Sequence, residues 1–178
     1  RVSSTSRGLG DVYKRQTQDN IMITGKVFNE KYSDKEVVKL TVENNCHNGF
    51  QYKEGLNVLN KDELFDPKFV CGPGGLYCCF KQDFGRWVGY NGKRMFNMWK
   101  VVIPDNAKVV VMNDKIKVDQ FILSNMEDLW THENCLVAVG NRGPALDWVP
   151  EELWDKEMCL KAVGNNGDAL YWVPEGVK

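Results

Sequence analysis

A 24-residue unit written twice constrains this chain more than any other feature. Residues 127–150 and 151–174 agree at 16 of 24 positions. Leu129, Trp130, Cys135, Ala138, Gly143, Ala145, Trp148 and Pro150 return as Leu153, Trp154, Cys159, Ala162, Gly167, Ala169, Trp172 and Pro174. Glu175-Gly176-Val177 then restarts the unit. With so short a period, each copy is one supersecondary element that buries its apolar face only against its neighbours. About three copies are normally needed for stability. The sequence therefore predicts either a truncated array or two copies that lean on the residues before them. Both arrangements point to binding and scaffolding rather than to chemistry.

Within a copy the period is helical. Thr131 and Asp155 are suited to cap a helix, and Glu133 and Glu157 follow in the first turn, where a carboxylate complements the helix dipole. Cys135, Leu136, Ala138 and Val139 make one apolar face. Gly143 and Gly167 are expected to end the helix in a left-handed conformation. A second short helix begins at Ala145, and Pro150 or Pro174 closes it.

Residues 1–16 (RVSSTSRGLGDVYKRQ) look like translated sequencing-adapter sequence of the kind found in metagenomic assemblies. They carry no hydrophobic period and no signal-peptide core, so they are expected to be disordered and are set aside. No run approaches the ~18 consecutive apolar residues of a membrane helix, so no membrane role is expected. Residues 126–178 hold ten acids against four bases. Neither half of the chain is a basic footprint, so nucleic acid is not expected as a partner. The acidic copies suit a protein partner instead.

The six cysteines are Cys46, Cys71, Cys78, Cys79, Cys135 and Cys159. Their spacing contains no CxxC. Cys71, Cys78, Cys79 and His47 could in principle bind zinc, but reduced thiols in an intracellular protein are the plainer reading and no metal is expected.

The first part of the chain reads as β structure. Ile21–Phe28 and Val37–Val42 are β-branched runs expected to form strands. Asn48-Gly49 is a turn signal, Phe50–Tyr52 a short strand, and residues 57–70 a loop. Cys71-Gly72-Pro73-Gly74-Gly75 is the sharpest break, and Leu76–Phe80 follows as a buried strand. Asp83–Tyr90 is expected to form a short helix. Trp99–Ile103, Lys108–Met112 and Ile116–Leu123 read as strands, with Ile116 and Val118 inward and Lys115, Lys117 and Asp119 outward. The period switches from two to about 3.6 near Met126. The predicted fold is α+β: a small, mainly antiparallel β domain over 17–125 with one or two short helices, then an α-helical repeat segment over 126–178.

The repeat pattern AV-x-x-x-G-x-AL-x-x-VP resembles short helical repeats of unknown function found in giant viruses, protists and some bacteria. LTVENNCHNGFQYKEGLN at 40–57, CGPGGLYCCF at 71–80 and VVIPDNAKVVV at 101–111 resemble a domain at the N-terminus of many giant-virus repeat proteins, where ankyrin or similar repeats follow. These resemblances supply architecture and imply a viral or virus-like source; together with the acidic repeats, the expectation is a virus-associated interaction protein, in host cytoplasm or virion, with a protein partner and no cofactor.

The same domain also resembles ADP-ribosyltransferases. There a His near a Gly opens the site, a Gly-rich strand supplies a Tyr that stacks on nicotinamide, and a later strand brings an acid. His47 with Gly49, and Gly74-Gly75-Leu76-Tyr77, match the first two in order. The resemblance implies NAD as cofactor, His47, Tyr77 and Asp119 as catalytic residues, and Gly74, Gly75 and Tyr52 as ligand contacts. The chain departs from the pattern at the acid: no Glu lies in the strands at 99–123, so Asp114 or Asp119 would stand in. Under the interaction reading, His47, Tyr52 and Tyr77 serve the fold and the glycines only turn the chain.

Overall fold

The computed structural model describes residues 21–67 and 72–176. The adapter-like segment 1–16 and Cys71, with the zinc reading that uses it, lie outside these residues. The architecture is α+β, as the sequence predicts.

Strand β1 is only Ile23–Thr24, and helix α1 takes over at Gly25–Lys31. The single strand expected over Ile21–Phe28 is thus corrected. The Thr24 hydroxyl accepts the Val27 N–H at 3.4 Å, which caps a helix instead of extending a strand. Helical spacing sets Phe28 one turn from Tyr32, with ring centroids 5.0 Å apart, and both pack on Phe80. Strand β2 is Val37–Thr41. Strands β3 (Cys46–His47) and β4 (Phe50–Gln51) form a hairpin on Asn48 and Gly49, at φ 50° and 79°. Two consecutive left-handed residues are what a two-residue hairpin turn of this twist requires.

Strand β5, Gly55–Val58, falls partly where a loop was expected. Its alternation is disguised, because the outward positions carry Leu56 and Val58 while inward Asn57 is polar. The Asn57 side chain satisfies itself locally, donating to the Lys53 and Gly55 carbonyls. Strand β6 is Leu76–Phe80. A 3-10 helix follows at Lys81–Arg86, in place of the helix expected over Asp83–Tyr90. The chain then forms the small hairpin β7 (Gly89–Tyr90) and β8 (Lys93–Arg94). The remaining strands are β9 (Asn97–Val102), β10 (Lys108–Val111), β11 (Ile116–Val118) and β12 (Gln120–Asp128).

The main sheet has the order β1-β10-β11-β6-β2-β9-β12-β5, all antiparallel. Only Asp119 separates β11 from β12, yet these strands stand third and seventh. One run of chain therefore serves both halves and curls the sheet into a barrel-like form. Asp119 is the corner: its carbonyl accepts the Leu59 N–H at 2.8 Å and its N–H reaches the Lys108 carbonyl at 3.2 Å. Inside lie Val37, Leu76, Cys78, Trp99, Val109, Ile116, Val118, Phe121 and Leu123.

A second core joins the barrel to the repeats. Val38, Leu40, Cys79 and Met98 face outward from the sheet and pack with Phe84, Leu129, Cys135, Ala138, Val139 and Leu146. The copies fold alike, with helix α2 (His132–Asn141) before a 3-10 helix at Gly143–Trp148, and α3 (Lys156–Asn165) before one at Gly167–Tyr171. Thr131 and Asp155 cap their helices as expected, accepting the Asn134 and Met158 N–H groups at 3.2 and 2.8 Å.

The expected role of the repeat glycines is corrected. Gly143 and Gly167 are not among the residues with positive φ. A Cβ on Gly143 would lie 2.4 Å from the Ala162 carbonyl oxygen, so glycine is needed there for close approach between the copies. Gly85 stands in the same relation to Ala138, the counterpart of Ala162: its Cβ would also lie 2.4 Å from that carbonyl oxygen. The 3-10 helix at Lys81–Arg86 thus offers the first copy the kind of surface that the first copy offers the second.

Candidate functional site

Strands β2 and β6 pair only through Val37 with Phe80 and Val38 with Cys79. Beyond those positions β2 stays with β9 and β6 stays with β11, so the two part and leave a notch in the sheet. A cavity of about 540 Å³ fills it. Lys39 and Leu40 line one wall, Gly75 to Cys79 the other, and His47, Phe50, Tyr52, Trp87 and Tyr90 close the ends.

Four of the residues singled out in the sequence therefore meet: His47, Tyr52, Tyr77 and Gly75. The His47 ring packs on Tyr90 at 5.3 Å between centroids. Burial, reinforced by the Lys39 and Lys93 charges, lowers its pKa to about 4, so the imidazole is neutral at pH 7. Tyr52 is buried, its ring 4.8 Å from Phe50, and burial raises its hydroxyl pKa. The Tyr77 hydroxyl accepts the Gly72 N–H at 3.2 Å and donates to the Gly72 carbonyl at 2.9 Å, so it holds the glycine turn. Gly74 sits behind the wall at φ 85°, with its N–H bonded to the Glu63 carboxylate.

Asp119 does not join them. It lies at the sheet corner, where its carboxylate accepts the Lys108 N–H at 2.8 Å. Asp114 is not in the lining either; it borders the cavity through its carbonyl, which accepts the Trp87 indole N–H at 2.9 Å. Among the described residues the carboxylate in the lining is Glu63.

Two lysines of the site were not anticipated. Lys39 is 7% exposed, with its ammonium 4.5 Å from the centre of the Tyr52 ring. Period two within Val37-Val38-Lys39-Leu40-Thr41 puts it on the inner face with Val37 and Thr41, a signal that the sequence does carry. Lys115 lies 5.7 Å from the Tyr77 ring and 5.2 Å from the Trp87 ring. Lys115 and Lys117 were expected to face solvent but are 8% and 0% exposed. Lys117 lies under Gly75 and donates to the Asp66 carbonyl at 2.6 Å, while Lys115 is covered by the Tyr77 and Trp87 rings. Cys78 and Cys79 remain thiols, because burial pushes Cys78 up to about 12 and raises Cys79 as well. Among the described residues no three His, Cys, Asp or Glu side chains cluster as a metal site would require.

A second concavity runs between the barrel and the repeats. Trp130, Trp154 and Trp172 line it with Pro150 and Pro174, and Asp147, Glu151, Glu152 and Asp155 surround them. The Trp130 and Trp154 indoles are pinned to the Met95 and Val149 carbonyls at 2.7 and 3.1 Å. The Arg94 guanidinium lies 4.8 Å from the Trp130 ring.

Residues 133–178 match the model of a domain of unknown function (DUF4116). An uncharacterized protein of Acanthamoeba polyphaga mimivirus is 36% identical over 81 residues, covering 45% of this chain and 56% of that protein. A putative ankyrin repeat protein of the same virus is 36% identical over 55 residues, 31% of this chain and 27% of that protein. The chain thus spans about half of one relative and about a quarter of the other. No solved structure matches it. Among the described residues no helix is long and apolar enough to cross a membrane.

Proposed function

We propose that this chain is a virus-associated interaction protein that acts inside the host cell or in the virion. Its helical repeats engage a protein partner, and its barrel-like domain is a recognition module. The observation that carries this reading is the groove in which three tryptophans recur beside four exposed acids. Tryptophan is the side chain most enriched where binding energy concentrates. Acids around an aromatic floor select a partner segment that carries Lys or Arg and repel acidic competitors. The giant-virus relatives, one of them named a putative ankyrin repeat protein, support the same reading.

Affinity capture from an Acanthamoeba lysate tests it, comparing wild type with a Trp154→Ala variant and with Glu151→Lys combined with Glu152→Lys. A defined partner that both variants lose, and that salt weakens in wild type, supports the groove. A set of captured proteins that neither variant alters counts against it.

A second reading has one observation in its favour: His47, Tyr52, Tyr77 and Gly75 line one cavity. Under it, the domain is an NAD-using ADP-ribosyltransferase. Glu63, rather than Asp119, would supply the carboxylate that stabilises the cationic sugar as nicotinamide leaves. Nicotinamide release by wild type, lost in Tyr77→Ala and in Glu63→Gln, would support it. No release at millimolar NAD from folded protein would end it.

A further inference from the structure

We propose that the notch between β2 and β6 binds a small oxyanion attached to a flat ring, with Lys39 as the group that pairs with the phosphate or carboxylate. The inference concerns the barrel domain alone and does not rest on the repeat partner or on any turnover of NAD.

Lys39 carries an uncompensated charge. Lys39 stands mid-strand, faces the barrel interior and is 7% exposed. Burying an ammonium is costly unless it is paired and hydrogen-bonded. Among the described residues Lys39 has no hydrogen-bond acceptor and no ion-pair partner; its ammonium rests only on the face of Tyr52, at 4.5 Å. That contact recovers part of the lost hydration. Burial lowers its pKa to about 8, so it is still mostly charged at pH 7.

Among the described residues the lining holds one carboxylate, Glu63, and no ion pair joins it to Lys39. Cys78 and Cys79 are thiols and His47 is neutral. The Glu63 carboxylate is engaged by the Gly74 N–H on the glycine turn. An entering oxyanion would meet the Lys39 ammonium in a low-dielectric site, where a charge-assisted hydrogen bond is stronger than in water.

The rest of the ligand follows from the walls. His47, Phe50, Tyr52, Tyr77, Trp87 and Tyr90 contribute rings to the lining. Rings prefer offset or tilted stacking on other rings. At about 540 Å³ the cavity lies within the ~300–1,000 Å³ range of small-molecule sites. The lining and the volume together fit a mononucleotide or an aromatic acid rather than a bare ion.

The test is isothermal titration calorimetry on the whole chain with AMP, benzoate, adenosine and inorganic phosphate. AMP or benzoate is expected to bind at least ten-fold more tightly than adenosine and than phosphate, and the tighter of the two identifies the oxyanion as phosphate or carboxylate. Lys39→Met should lose that ten-fold advantage while its thermal midpoint holds or rises, since it deletes an unpaired buried charge. Equal affinity of wild type for AMP and adenosine with no benzoate binding, or no saturation by any probe at millimolar concentration, would overturn the proposal whatever the variant does. So would a Lys39→Met protein that folds and binds as tightly as wild type. Nicotinamide release is a separate readout, so this site can stand while the transferase reading fails.

Discussion

The two 24-residue copies share most of their residues and yet occupy different environments. Leu146 of the first copy is fully buried, while Leu170 at the same position of the second is 48% exposed. Leu136 is half-buried, and its counterpart Leu160 is 64% exposed. The first copy is clamped between the 3-10 helix at Lys81–Arg86 and the second copy. Among the described residues, the second copy has such a neighbour on one side only. Burial here belongs to place in the stack rather than to residue type, which is how a quasi-one-dimensional array with nearest-neighbour interfaces behaves.

That contrast is most directly broken at the buried leucine. Leu146→Ala should cost about 3 kcal/mol in urea unfolding, and Leu170→Ala less than about 1 kcal/mol. Equal losses would mean that Leu170 is covered in solution, and a concentration-dependent midpoint would identify self-association as the cover. Next comes the glycine pair. Gly143→Ala drives a methyl group against the Ala162 carbonyl and should cost about 2 kcal/mol. Gly167→Ala meets open space, so its thermal midpoint should hold or rise slightly.

The asparagines sharpen the comparison further. Asn165 links the copies by accepting the Gly143 N–H and donating to the Gly140 carbonyl, both at 2.7 Å. Asn141, its counterpart, has a buried Nδ2 with no partner among the described residues. Asn165→Ala should therefore lose about 1 kcal/mol, while Asn141→Ala loses little or gains. The smallest expected effect separates the caps by pH. The Met158 backbone N–H, and then His132 at 2.7 Å, hold the Asp155 carboxyl below its ordinary pKa of 3.8. A lowered native pKa contributes stability that is present above 3.8 and is lost as pH falls through the native value. Wild type should thus lose more of its urea midpoint between pH 6 and pH 3 than Asp155→Thr does. The first copy is capped by Thr131, which does not titrate.

Much of this was legible in the sequence because it is local. The N-caps at Thr131 and Asp155, the Asn48-Gly49 hairpin and the buried strand Leu76–Phe80 all follow from residue type and spacing. Local pattern and structure diverge where a partner distant in sequence decides the outcome. Ile21–Phe28 looks like one strand until Thr24 caps a helix whose aromatic residues pack on Phe80. Lys115 and Lys117 alternate like solvent-facing residues, but Tyr77 and Trp87 cover the first, and Asp66 and Gly75 meet the second. The candidate site divides in the same way. His47, Tyr52, Tyr77 and Gly75 could be nominated by type, but Lys39 reaches the cavity because the sheet parts between β2 and β6, and Glu63 because it bonds the Gly74 N–H of the glycine turn.

By itself, then, the sequence determined the α+β class, the two copies and their caps, and the residue types able to form a site, since these depend on propensities and periods within a few residues. Only the tertiary structure decided which copy is enclosed, why Gly143 must be glycine, and which charged groups share a cavity. Those outcomes depend on contacts between segments tens of residues apart, where the curl of the sheet, rather than the local pattern, sets what lies beside what.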